Sequence, residues 1–213
     1  MTDIKVTREI RESLYDALTS LISDIGPIKI GNAKQFPFGW RKAAKGRTVW
    51  RILEEVITQN LEESHNKYGF NSMKPSESEV SVFDFAIKMD GHIKPIYVNI
   101  KSAVKGARKN KDDISKAIGL KHFYEEDPEK EIFIASFVIN FKDNMSISID
   151  QCHVMPIAWL PDIYVNPSNN GNLQSSKYKD VDLATERTNQ EFIDALVDEM
   201  EVARKKRLAK SRS

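Results

Sequence analysis

A chain of 213 residues, 40% hydrophobic and 30% charged, carries enough apolar material for one well-cored domain, with room for a small appendage. A net charge of +1 excludes recognition of an acidic polymer by overall charge and leaves it to how the charges are distributed. No apolar run approaches bilayer length, and the single cysteine, Cys152, permits neither an internal disulfide nor a thiolate zinc site.

The N-terminus is charged and amphipathic, without the apolar core and cleavage site of a secretory leader, so a cytoplasmic, membrane-free protein is expected. Residues 4–25 predict a helix with Val6, Ile10, Leu14, Leu18, Leu21, Ile22 and Ile25 on one face, stopped by Gly26-Pro27. Residues 28–46 are irregular, basic and aromatic, with Phe36, Phe38, Trp40, Arg41 and Lys45. A second helix is expected over 47–65 on the stripe Val49, Ile52, Leu53, Val56, Ile57 and Leu61, followed by a polar loop at 66–78. Residues 80–88 predict a strand, Asp90-Gly91 a hairpin turn and residues 95–101 its partner strand.

Further on, residues 112–126 read as a helix capped by Asp112 or Asp113 and ended near Pro128. Residues 131–141 form a long apolar strand, expected to be buried on both faces, and 146–151 a shorter one. Cys152 and His153, adjacent on a strand, point to opposite faces and make a poor nucleophile pair. Residues 156–185 are loop-rich, and a last helix spans about 188–208 on Phe192, Ile193, Leu196, Val197 and Met200. The order predicts an α/β (α+β) domain with a mixed sheet flanked by helices. Its expected divisions are an N-terminal helix (1–27), a basic aromatic loop (28–46), a core (47–155) and a loop-rich region with the last helix (156–213).

The chemistry concentrates in the hairpin. Asp84 sits between Phe83 and Phe85, and the partner strand carries Asn99 and Lys101 around Ile100. The one-residue spacer puts Asn99 and Lys101 on the same face, roughly 6.5–7 Å apart. Phosphodiester hydrolysis needs oxygen ligands for a divalent cation and a positive group facing the transition state, and such a pattern supplies both. The Ile100 carbonyl can add another oxygen. The plain alternative is a cross-strand ion pair of Asp84 with Lys101. Asn99 argues against it, because a strand interior disfavours Asn.

This hairpin resembles the signature of the PD-(D/E)XK nuclease superfamily, in which an Asp precedes an acid-X-Lys triplet on the next strand. The element order and the later Glu-Arg-Thr-x-x-Glu-Phe helix resemble small type II restriction endonucleases. The resemblance implies magnesium-dependent cleavage of duplex DNA by a homodimer, with Asp84, Asn99, Lys101 and an accessory acid on the preceding helix as catalytic residues. It favours Glu54 over Glu55 for that acid and makes Asp84, Asn99, Ile100 and Glu54 the ligands of Mg2+. Asn99 departs from the pattern, since an acid is expected there. It is either native, with Glu54 or Glu79 supplying the charge, or an engineered change, or the mark of a relative that does not cut.

Basic residues cluster at 41–51, 101–116 and 204–212. The first two clusters flank the hairpin, so Arg41, Lys45, Lys105, Arg108, Lys109 and Lys111 are expected near phosphates. Asn169, Asn170 and Asn172 lie in an amide-rich stretch suited to adenine edges. The first or the last helix is expected to form the dimer interface. The alternatives are a less specific repair or recombination nuclease, or a DNA-binding protein without cleavage.

Overall fold

The computed structural model describes residues 3–41, 46–78, 81–107, 111–168 and 171–210, with 46–48 by backbone only. Helix α1 (Ile4–Ile25) starts where the Asp3 carboxylate accepts the Lys5 N–H, and it ends at Gly26, whose φ of 62° suits glycine. Helix α2 spans Gly46–Ser64, α3 Ala117–Glu126 and α4 Asn189–Lys210.

A six-stranded sheet runs between them. Its strands are β1 (Ile28–Lys29), β2 (Phe70–Pro75), β3 (Phe85–Met89), β4 (Ile96–Val104), β6 (Glu131–Phe141) and β7 (Ser146–Pro156), in the order β1-β7-β6-β4-β3-β2. Only β4 and β6 pair in parallel; the other neighbours are antiparallel. A smaller sheet joins β5 (Asp112–Lys116), β9 (Asn172–Ser175) and β8 (Tyr164–Val165).

Period-two alternation along β6 feeds two cores. Phe133, Ala135 and Phe137 face one of them, with α1 and α2 (Leu14, Leu18, Leu53, Ile57). Ile132 and Ile134 face the other, with α3, α4 and the small sheet (Leu120, Phe192, Leu173). The fold is thus mixed α+β, with helices on both faces of one sheet and β6 buried on both sides as its sequence predicts. Cys152 belongs to the first core, and burial pushes its thiol up to about 12. Among the described residues no helix is long and apolar enough to cross a membrane.

Four local expectations are corrected. Residues 66–78 are not simply a loop: a 3-10 turn at His65–Tyr68 leads into β2, which pairs with β3. Phe70 anchors it in the core, and its polar remainder suits an edge strand. The first strand of the hairpin begins at Phe85, so Asp84 immediately precedes it. Residues 112–116 form β5, and neither Asp112 nor Asp113 caps α3. Their carboxylates accept instead from Tyr178 Oη and Gln174 Nε2, while Ile114 is buried. Residues 156–185 contain β8 and β9 as well as loops.

Candidate active site

The site lies where β3 begins beside β4. The last bond of that hairpin edge runs from the Asp84 N–H to the Val98 carbonyl, 2.8 Å. One pair further on, β3 has no backbone left to offer. The Ile100 N–H is taken instead by the Asp84 carboxylate. In a strand, the carbonyl of a residue points to the same edge as its N–H, so the Ile100 carbonyl faces this gap. The other edge of β4 is closed by β6, which pairs Asn99 with Ile134 and Lys101 with Ser136. Strand parity puts Asn99 and Lys101 on the face opposite Val98 and Ile100.

Helix α2 brings Glu54 to the same corner. Its side chain is 18% exposed, and Arg51, one turn earlier, sits 3.4 Å away. Glu55 is exposed and bonded to Gln59, so of the two acids it is Glu54 that lies near Asp84 and Lys101. Burial, then the neighbouring charge of Asp84, pushes the Glu54 carboxyl up to about 7. Burial also raises Asp84, against the pull of the Ile100 N–H, Lys101 and Arg51. Lys101 is lowered by burial and held up by Asp84, Glu54, Asp113 and Asp112. Two acids that resist ionisation thus surround one amine that resists protonation.

Asn99 is 7% exposed, and its two ends differ. Its Nδ2 donates to the Val82 carbonyl at 2.9 Å, whereas its buried Oδ1 has no partner among the described residues. Such an oxygen lacks a donor or a cation. The oxygens these residues offer are therefore two carboxylates, one orphaned amide oxygen and one strand carbonyl. These are hard oxygen ligands, few enough to leave room for water, and they fit magnesium. Among the described residues no three His, Cys, Asp or Glu side chains gather as a ready cage, so neutral oxygens must complete any cation site.

The committed Nδ2 makes Asn99 testable. Asn99→Asp puts a carboxylate oxygen against the Val82 carbonyl. The metal-free variant is expected to lose about 1–3 kcal/mol, seen as a lower denaturant midpoint at unchanged slope. Magnesium should then stabilise the variant more than the parent. Equal midpoints in the two proteins would show that this hydrogen bond does not hold the side chain.

Of the predicted site residues, Glu54, Asp84 and Lys101 act on one another and Asp84 is bonded to Ile100, whereas Asn99 neighbours them on β4 with its side-chain nitrogen bonded to Val82. Lys105 does not join them: it is tied to Asp150 at 2.8 Å, a contact that, with Ser148 and Asn140, holds that acid down at about 2. The Lys111 ammonium lies 3.8 Å from the centre of the Tyr164 ring, and the Arg41 guanidinium 4.1 Å from that of Phe38. Asn172 lies on β9 with its Oδ1 buried and without a partner among the described residues. Lys45, Glu79, Arg108, Lys109, Asn169 and Asn170 lie outside the described residues. Sequence reasoning missed Arg51, Asp112 and Asp113 as charged neighbours of the site. The first belonged to a basic cluster one helical turn before Glu54, a spacing that signals contact. The two aspartates were read as cap residues. No protein-family model matches the chain, and no curated protein matches it.

Proposed function

We propose that the chain is a magnesium-dependent endonuclease that hydrolyses phosphodiester bonds of duplex DNA, of the type II restriction kind, acting in the cytoplasm as a homodimer. The observation that carries the reading is the meeting of Glu54, Asp84 and Lys101 at the open end of the hairpin, with the buried, unpartnered Asn99 oxygen on the same strand two residues from Lys101. The signature resemblance of the same residues supports it. Dimerisation rests on that resemblance and on the match between two-fold protein symmetry and palindromic DNA.

Glu54, Asp84, Asn99 Oδ1 and the Ile100 carbonyl are the oxygens that would hold magnesium. When bound, the ion supplies Lewis acidity toward the phosphate and promotes ionisation of water. In hydrolysis a water oxygen bonds to phosphorus, one P–O ester bond breaks, and the departing oxygen ends protonated. Lys101 faces the extra negative charge that the phosphate oxygens gain in the transition state. Its half-buried setting strengthens that interaction. Glu54 must be ionised to act, and its raised proton affinity sets the acid limb.

Incubating the full chain with phage DNA and magnesium tests this directly. Discrete fragments are expected, formed faster as pH rises from about 6 to about 8, because Glu54 loses its proton across that range. More magnesium should move the midpoint to lower pH, since cation and proton compete for Glu54. Glu54→Gln should flatten this limb. A second reading, duplex binding without cleavage, draws on the neutral amide at Asn99. Intact but retarded DNA would favour it, a smear would indicate a less specific nuclease, and DNA neither cut nor retarded would sink both readings.

A further inference from the structure

We propose that the outward face of the small sheet reads the duplex, with Gln174 and Asn166 as adenine-recognising residues. The choice of DNA as partner rests on the nuclease reading above.

The sheet β5-β9-β8 is two-faced. Ile114, Leu173 and Val165 are buried against the second core. Outward, Asp113 pairs in register with Gln174, and Gln174 with Tyr164. Their side chains are linked across the strands. Gln174 Nε2 donates to Asp113 Oδ1 at 2.6 Å, and Asn166 Nδ2 donates to Gln174 Oε1 at 3.2 Å. The Ser168 N–H donates to Asn166 Oδ1 at 2.8 Å.

A carboxamide has two N–H donors and two acceptor lone pairs. Each of these amides uses one donor and one acceptor on its neighbours and, among the described residues, keeps one of each. Adenine presents the complement in the major groove: the N7 acceptor beside the N6–H donor. The neighbours also fix the amide planes, so the ordering cost of recognition falls at folding instead of at binding.

The surrounding charge suits a phosphate backbone. Lys111 stands over Tyr164 at one side of the row. At the other, Arg207 donates to the Pro167 carbonyl at 3.2 Å. Asp113 is the acid within the row. It is engaged by Gln174, and it is one of the charges that act on Lys101. The row therefore begins beside the candidate catalytic corner, where a reading surface must lie if cutting is to follow recognition.

The test is selection of bound duplexes from a random-sequence pool by the full chain, without divalent cation, followed by sequencing. The parent protein is expected to enrich a motif with fixed adenines. Gln174→Ala should lower the preference for adenine at one position by about 5- to 150-fold, leaving the others. Asn166→Ala should do so at a different position, which a folding defect does not do. An unchanged motif in both variants, or no duplex retained by the parent, overturns the proposal. A parent that selects a motif but does not cut it with magnesium overturns the nuclease reading and still supports this one.

Discussion

Asp84→Asn is expected to lower the rate of DNA cleavage by at least about 10²–10³-fold, the loss seen when one preorganised electrostatic group is removed from an active site. The substitution separates charge from geometry. An amide oxygen at the same place can still accept the Ile100 N–H, so the hairpin should keep its shape and the variant its stability. The negative charge goes, and with it half of the carboxylate pair around the corner. Glu54 should respond: freed from the repulsion of Asp84, its carboxyl moves back toward the usual range. Any residual activity should therefore show its acid limb at lower pH. Steady-state cleavage of a plasmid at saturating magnesium, paired with metal-free duplex binding, reads both halves. Binding should hold or tighten, because a negative charge near phosphate is lost. Cleavage within about tenfold of the parent would remove Asp84 from the ligand set.

Lys101→Met should cost about 10²–10³-fold in turnover with little change in duplex affinity. Methionine keeps the apolar stem that packs in the half-buried corner and deletes only the ammonium. Lys101 is also one of the positive charges holding Glu54 down, so its loss should carry the acid limb of cleavage to higher pH, opposite to Asp84→Asn. Opposed shifts from two neighbouring substitutions require that all three groups share one field. A loss confined to affinity, at full turnover, would instead make Lys101 a phosphate anchor. Lys101→Arg should not restore the rate, since a guanidinium is wider and presents its donors in a fixed fork.

The fold was most legible where a period is rigid. Strand alternation placed Asn99 and Lys101 on one face and made β6 a strand with two buried sides, and both hold in the structure. It was least legible where distant partners decide. Asp112 and Asp113 precede a helix and look like caps, yet their hydrogen-bond partners are Tyr178 and Gln174, far along the chain. Edge strand β2 was hidden by its polar composition, which is what an edge requires. Helical periodicity could not separate Glu54 from Glu55, because both flank the apolar stripe and only packing buries one of them. Asn99 was visible as a missing charge. That its nitrogen is committed to Val82 and its oxygen is not could only come from three dimensions.

The parallel pairing of β4 with β6 has a consequence for the order of folding. The β3–β4 hairpin is local and closes at small entropic cost. The β4–β6 ladder joins strands separated by β5 and α3, so it must await closure of a long crossover. Until then Lys101 stands on a strand with one bare edge, in water, with neither Ser136 beside it nor the aspartates of β5 near it. A growing chain that has emerged only as far as the hairpin therefore holds the signature residues without their electrostatic setting. The corner comes into being with the whole domain, so unfinished or clipped chains should be chemically silent.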